Sequence, residues 1–251
     1  MLAKLLRGII PKRFRPIGYL EHLVRTRTGG RVASGPFMGM RVLEDSVGSA
    51  LIPKMLGIYE RELHPRIEDA CREKFPLIVD IGAAEGYYAV GMALRNPTAK
   101  IVAFELEEKG RRLLAEMCKA NATEGQVEIH GRCEPSDLTT LLPGHERALI
   151  ICDVEGYEEK LLDPEQAPEL ARCHILVEMH DFIIPDITAK LMARLSASHQ
   201  IEEIWQEPRV RADLPFRSWG TRLLPARYLD WAVSEWRPVR MSWLWAKPHA
   251  T

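Results

Sequence analysis

Val79-Asp80-Ile81-Gly82-Ala83-Ala84-Glu85-Gly86 runs from an apolar stretch into a turn whose glycines stand four positions apart. Leu77-Ile78-Val79-Asp80 reads as a short parallel strand buried on both faces, because its apolar residues are continuous rather than alternating. Gly82 lets the backbone turn sharply and approach a ligand closely, and Gly86 lets the following helix begin close to the strand. The dinucleotide pattern G-x-G-x-x-G requires glycine at position 84, where this chain has Ala84. Asp80 and Glu85 flank the turn. Two carboxylates there repel a pyrophosphate and suit a cationic ligand, such as one bearing an ammonium and a sulfonium.

Working outward, Leu63, Ile67, Ala70 and Cys71 fall at helical spacing within residues 63–75, with Pro65 in the first turn and Pro76 just past the end. Downstream, residues 88–94 read as a helix, Ile101-Val102-Ala103-Phe104 as a second strand and residues 107–120 as a charged helix. Val127-Glu128-Ile129, Ala148-Leu149-Ile150-Ile151-Cys152 and Cys173-His174-Ile175-Leu176-Val177 are the third to fifth strands. A helix over 183–195 and strands over 201–205 and 241–245 complete the series. Strands alternating with helices predict β-α-β crossovers and an α/β fold on a seven-stranded, mostly parallel sheet.

The chain has 251 residues and a net charge of −1, and its 46% hydrophobic content excludes global disorder. No apolar run approaches the roughly 18 residues of a membrane span. Five cysteines, an odd number with no C-x-x-C pair, argue against a disulfide framework and a structural zinc site, so a reducing, cytoplasmic setting is expected. Residues 1–32 carry +7 and the remainder −8. Leu2, Leu5, Leu6, Ile9 and Ile10 can share one helical face, whereas Lys4 and Arg7 interrupt the apolar stretch of a secretory signal. Three readings stay open: a peripheral contact with anionic lipid through residues 1–32, a mitochondrial presequence, or a basic arm packed on the body or a partner. Outside that arm the chain is net acidic, which disfavours a nucleic-acid substrate.

Glu105 ends the second strand 19 positions after Gly86, where a carboxylate can accept hydrogen bonds from both hydroxyls of a ribose. The loop from Gly131 to Glu134 is expected near the base, with Cys133 as a small packing residue. Asp80-x-Gly82-x-x-x-Gly86 with Glu105 resembles the cofactor motifs of class I S-adenosylmethionine-dependent methyltransferases. Asp153-Val154-Glu155-Gly156-Tyr157-Glu158 resembles the D-v-E-G-x-E signature of the FkbM type within that class. Tyr59-Glu60-Arg61-Glu62 is similar to that family's Y-E segment, and Val177-Glu178-Met179-His180 to its V-E-x-H. The similarity covers roughly residues 55–185.

The resemblance implies a Rossmann-like sheet of order 3-2-1-4-5-7-6 with helices on both faces and the last strand antiparallel. It implies methyl transfer from S-adenosylmethionine, most often to a hydroxyl of a sugar or other small molecule. Nitrogen or protein methylation on the same fold, and a non-catalytic cofactor-binding protein, are the alternatives. Cofactor contacts are expected at Asp80, Gly82, Ala83, Glu85, Gly86, Tyr87, Glu105, Leu106, Cys133, Asp153 and Glu155.

An alcohol acceptor needs a base, and His180 is the first candidate, with its ring oriented by Asp181 or Glu178. Asp153 is the second, unless it caps a helix starting near Gly156. A divalent cation such as magnesium, held by Asp153, Glu178 and His180 or Asp181, is the less favoured option, because histidine suits magnesium poorly.

All six tryptophans fall in the last 47 residues. The stretch over 206–239 lacks clear periodicity, as functional loops do. Glu60, Trp205, Arg217 and Trp219 are the candidates for holding a small-molecule or glycan acceptor, with Arg209, Arg211 and Arg222 nearby in sequence. The organisation expected is a basic arm over 1–45 and one domain over 46–251. Its cofactor half spans about 76–160, and 206–239 is a substrate-side insertion.

Overall fold

Leu77–Ile81 (β1) is buried along its whole length and lies inside a seven-stranded sheet of order β3-β2-β1-β4-β5-β7-β6. In the computed structural model, residues 15–45, 50–145 and 147–249 are described. β1 pairs in parallel with Lys100–Phe104 (β2) and with Ala148–Cys152 (β4). Val127–His130 (β3) lies outside β2, and His174–Glu178 (β5) outside β4, both parallel. Ser242–Pro248 (β7) enters antiparallel between β5 and His199–Trp205 (β6). This is the Rossmann-like arrangement expected from the sequence.

The chain divides into two compact units. Glu62–Gln206 with Pro238–Thr251 forms the larger, which contains the sheet. Its apolar strand residues pack with Leu138, Leu161, Leu162, Leu170, Ile187, Leu191 and Leu195 from the connecting helices and turns. Parallel strands need such crossovers, and burial on both faces explains their continuous Val/Ile/Leu character. The helices that matter to the site are Tyr87–Arg95, Glu108–Asn121 and the short Glu158–Leu161.

The smaller unit joins the described part of Met1–Arg61 to Glu207–Arg237. Residues 50–61, grouped by sequence with the α/β domain, therefore lie in the same unit as residues 15–45. The reason is physical: all six residues of the helix Leu51–Leu56 are buried, and the helices Pro16–Thr28 and Ala226–Val233 pack on it. Polar pairing adds to that burial. Glu60 is 1% exposed and ion-paired with Arg237, while Arg209 Nε donates to Glu235 Oε1 at 2.8 Å, both side chains nearly fully buried. The apolar face formed by Leu2, Leu5, Leu6, Ile9 and Ile10 lies outside the described residues. Among the described residues, no helix is long and apolar enough to cross a membrane.

Candidate active site

The register of β1 with its neighbours brings Ile81 level with Phe104 and Cys152, so the residues that follow each strand emerge on one rim. That rim is the carboxyl end of the parallel strands, where α/β sheets bind ligands. Gly82 is held there by close approach. Its φ is +87°, and a β-carbon on it would lie 1.7 Å from the carbonyl oxygen of Asp153. The amides of Gly82 and Ala83 both donate to the carbonyl of Phe104 at 2.9 Å, and Ala84 turns into the left-handed region with φ +48°. Gly86, with φ +92°, starts the next helix against Leu114.

This turn shapes the environment of Glu105, which is 8% exposed. The amide of Ala84 donates to its Oε2 at 2.7 Å, and the amide of Glu107 donates to its Oε1 at 2.7 Å. Gly110 leaves room for the side chain: a β-carbon there would fall 2.6 Å from Glu105 Cγ. Each carboxylate oxygen keeps a second acceptor direction beyond its backbone donor. The carboxylate is therefore preoriented as an acceptor next to the glycine turn. Leu106, immediately after it, exposes 62% of its surface, and Asp80, Glu85 and Tyr87 are buried around the turn.

Cys133 is 4% exposed and joins the apolar core beneath β2 and β4, and burial pushes its thiol up to about 12. It is a packing residue. We expect iodoacetamide at pH 8 to leave Cys133 unlabelled in the folded protein, read by peptide mass mapping; labelling within minutes would contradict this burial.

The second half of the rim gathers around His180, 3% exposed beyond β5. Its Nδ1 lies 2.7 Å from Oε1 of Glu158, a side chain with no exposed surface. Its Nε2 lies 3.5 Å from Asp153 Oδ1 and 3.5 Å from Glu178 Oε2. Burial alone would push the imidazole down. The hydrogen bond with Glu158 and the charges of Asp153, Glu158 and Glu155 outweigh it and raise His180 above its usual value.

Two expectations are corrected here. The group that orients His180 through Nδ1 is Glu158, not Asp181 or Glu178; Asp181 instead accepts from the hydroxyl and amide of Thr188. Nor does Asp153 cap a helix near Gly156, since that helix begins at Glu158 with Tyr157 at its N-cap. Glu155 (φ +50°) and Gly156 (φ +105°) reverse the chain, leaving Glu155 exposed and turning Glu158 inward. The signal for Glu158 lay in the last glutamate of the D-v-E-G-x-E run.

The rim thus brings together Asp80, the glycine turn, Glu105, Asp153, Glu155 and His180. Of the acceptor candidates, Trp205 ends β6 with 45% exposure and the Arg240 guanidinium 5.0 Å from its ring centre. Glu60, Arg217 and Trp219 belong to the smaller unit. Glu60 is closed into the ion pair with Arg237, while Arg217 is exposed and Trp219 is 78% exposed. Arg211 pairs with Asp230 at 2.8 Å on the surface of that unit.

No family model matches the chain, and no curated protein matches its sequence. Solved structures of similar architecture include a precorrin-6y C5,15-methyltransferase from Geobacter metallireducens, 13% identical, TM-score 0.47, covering 72% of this chain and 87% of that one. The O-methyltransferase TomG from Streptomyces achromogenes, solved in complex with SAM, is 15% identical at a TM-score of 0.45, covering 72% and 77%. A precorrin-8w decarboxylase from Methanobacterium thermoautotrophicum is 14% identical at 0.48, covering 69% and 82%. Two methyltransferases and a decarboxylase share this likeness, which is one of architecture; function rests on the side chains at the rim.

Proposed function

We propose that the chain is an S-adenosylmethionine-dependent methyltransferase that methylates a hydroxyl of a small molecule or sugar. The observation that carries this reading is the Glu105 carboxylate, held by the amides of Ala84 and Glu107 at the end of β2, beside the glycine turn. In this reading Glu105 accepts from the two ribose hydroxyls, and Leu106 with the loop of Cys133 flanks the adenine. Asp80 and Glu85 give the turn the negative charge that a methionyl ammonium and a sulfonium require. The acceptor hydroxyl faces Asp153 and His180.

Transfer forms the bond from the acceptor oxygen to the methyl carbon and breaks the bond from that carbon to sulfur, so the sulfonium becomes a neutral thioether. The hydroxyl proton passes to Nε2 of His180, whose imidazole Glu158 stabilises when charged. The hydrogen bond with Glu158 and the neighbouring carboxylates raise the basicity of His180 against the opposing effect of burial, which favours its taking the proton. Holding oxygen, methyl and sulfur in line at about 3–3.5 Å is the larger contribution of the chain. Trp205, at the end of β6 in the same unit as Asp153 and His180, is the proposed acceptor contact, suited to a glycosidic partner.

Calorimetric titration with S-adenosylhomocysteine tests the reading, with NAD as the competitor ligand. Wild type is expected to bind S-adenosylhomocysteine and not NAD. Glu105→Ala removes two charge-assisted hydrogen bonds at about 1.5–3 kcal/mol each and is expected to weaken binding by on the order of 100-fold or more. Equal affinity in the variant, or tighter NAD binding, would overturn it.

A further inference from the structure

We propose that Asp153, Glu178 and His180 hold a divalent cation of the manganese or zinc kind at the ends of β4 and β5. One donor atom from each residue, two carboxylate oxygens and one imidazole nitrogen, lies within 4.8 Å of the others. Nε2 of His180 stands 3.5 Å from an oxygen of each carboxylate. Charge-assisted hydrogen bonds close to about 2.7–2.9 Å, so this spacing is too wide for strong direct pairing. It is close to the edge of a coordination polyhedron, because donors about 2.0–2.2 Å from a shared ion stand roughly 3.0–3.5 Å apart. The three groups are spaced for an ion among them.

The orientation of the imidazole is a separate observation with the same meaning. Glu158, fully buried, faces Nδ1 at 2.7 Å and is itself held by the amide of Gly156 at 2.9 Å. A carboxylate on Nδ1 places the proton there and turns the Nε2 lone pair toward Asp153 and Glu178. This is the arrangement that orients metal-binding histidines and raises their basicity. Glu178 and His180 are each 3% exposed, whereas the Asp153 side chain is 37% exposed, so the cluster is closed on one side and open on the other. Three protein donors with an open position leave room for water or an oxygen ligand. Carboxylates alone suit magnesium, calcium and manganese, and imidazole suits zinc; the mixed set selects the borderline ions over magnesium.

Cation binding does not depend on the methyl-transfer reading. If both hold, the ion acidifies a coordinated hydroxyl and His180 acts as its ligand instead of taking the proton directly. The test is calorimetric titration of the full chain, stripped with a chelator and dialysed, with MnCl2 and with ZnCl2 near neutral pH. Manganese binding is read in parallel by water-proton relaxation. The variants are Asp153→Asn, Glu178→Gln and, as a carboxylate paired elsewhere, Asp163→Asn.

Binding of a single ion is expected, weakened about 10- to 100-fold or more by Asp153→Asn and by Glu178→Gln, with Asp163→Asn unchanged. Circular dichroism checks folding; if buried Glu178→Gln unfolds, the half-exposed Asp153→Asn decides. No saturable binding of either ion by wild type, or binding that Asp153→Asn retains in full, would overturn the site. S-adenosylhomocysteine titrated into the same samples separates the two proposals. Its binding without the ions removes only the cation site, and ion binding without it removes only the methyltransferase reading.

Discussion

Gly82→Ala is expected to lose about 4 kcal/mol of stability or more, with S-adenosylhomocysteine binding lost alongside. The added β-carbon would lie 1.7 Å from the carbonyl oxygen of Asp153 and 2.8 Å from its carbonyl carbon. These are backbone atoms, and β4 cannot retreat without breaking the pairing of Ile81 with Cys152 and the 2.9 Å bond from the Asp153 amide to Ile81. A φ of +87° adds a penalty for any residue with a side chain. Urea denaturation followed by circular dichroism reads the loss. Gly125→Ala is the control, since a β-carbon there meets nothing within 4 Å. A loss below about 1 kcal/mol at position 82 would contradict the close approach of the turn to β4.

The second large effect is expected in the smaller unit. Glu235 Oε1 accepts from Arg209 Nε at 2.8 Å and from the amide of Glu60 at 3.0 Å, while Oε2 lies 3.4 Å from Arg237 Nε. The side chains of Arg209 and Glu235 are 2% and 1% exposed. Removing the carboxylate takes a shared partner from the buried guanidinium of Arg209 and from that of Arg237, which is 11% exposed and still paired with Glu60, so Glu235→Ala should cost about 3–5 kcal/mol. Glu235→Gln keeps an acceptor for Arg209 and should recover part of that loss. Urea melts followed by tryptophan fluorescence test this, because Trp219, Trp231 and Trp236 all belong to this unit. An Ala variant within about 1 kcal/mol of wild type would show that the network contributes little.

These two sites also mark what the sequence discloses and what it withholds. The sheet was legible because the central strands β1, β2, β4 and β5 are short, largely apolar runs separated by helices, which leaves few alternatives to a crossover-connected parallel sheet. Strand ends then located Asp80, Glu105, Asp153 and His180 on one rim, since parallel strands finish together. The pairing of His180 with Glu158 was not legible, although the D-v-E-G-x-E run contains that glutamate. Asp181 and Glu178 are nearer in sequence, and only the left-handed turn at Glu155 and Gly156 directs Glu158 inward.

Glu60 and Arg209 illustrate the same limit. Glu60, in the Y-E segment, read as a contact for the acceptor, but it finds Arg237 177 positions away and becomes buried. Local pattern carries no information about such a partner.

The most direct test of the methyltransferase reading is the structure of the chain in complex with S-adenosylhomocysteine. The predicted result has both ribose hydroxyls on the carboxylate of Glu105, the methionyl ammonium beside the turn of Asp80 and Glu85, and the sulfur facing Asp153 and His180. A ligand bound away from the carboxyl ends of β1 and β2, or a ribose that leaves Glu105 without contact, would contradict it.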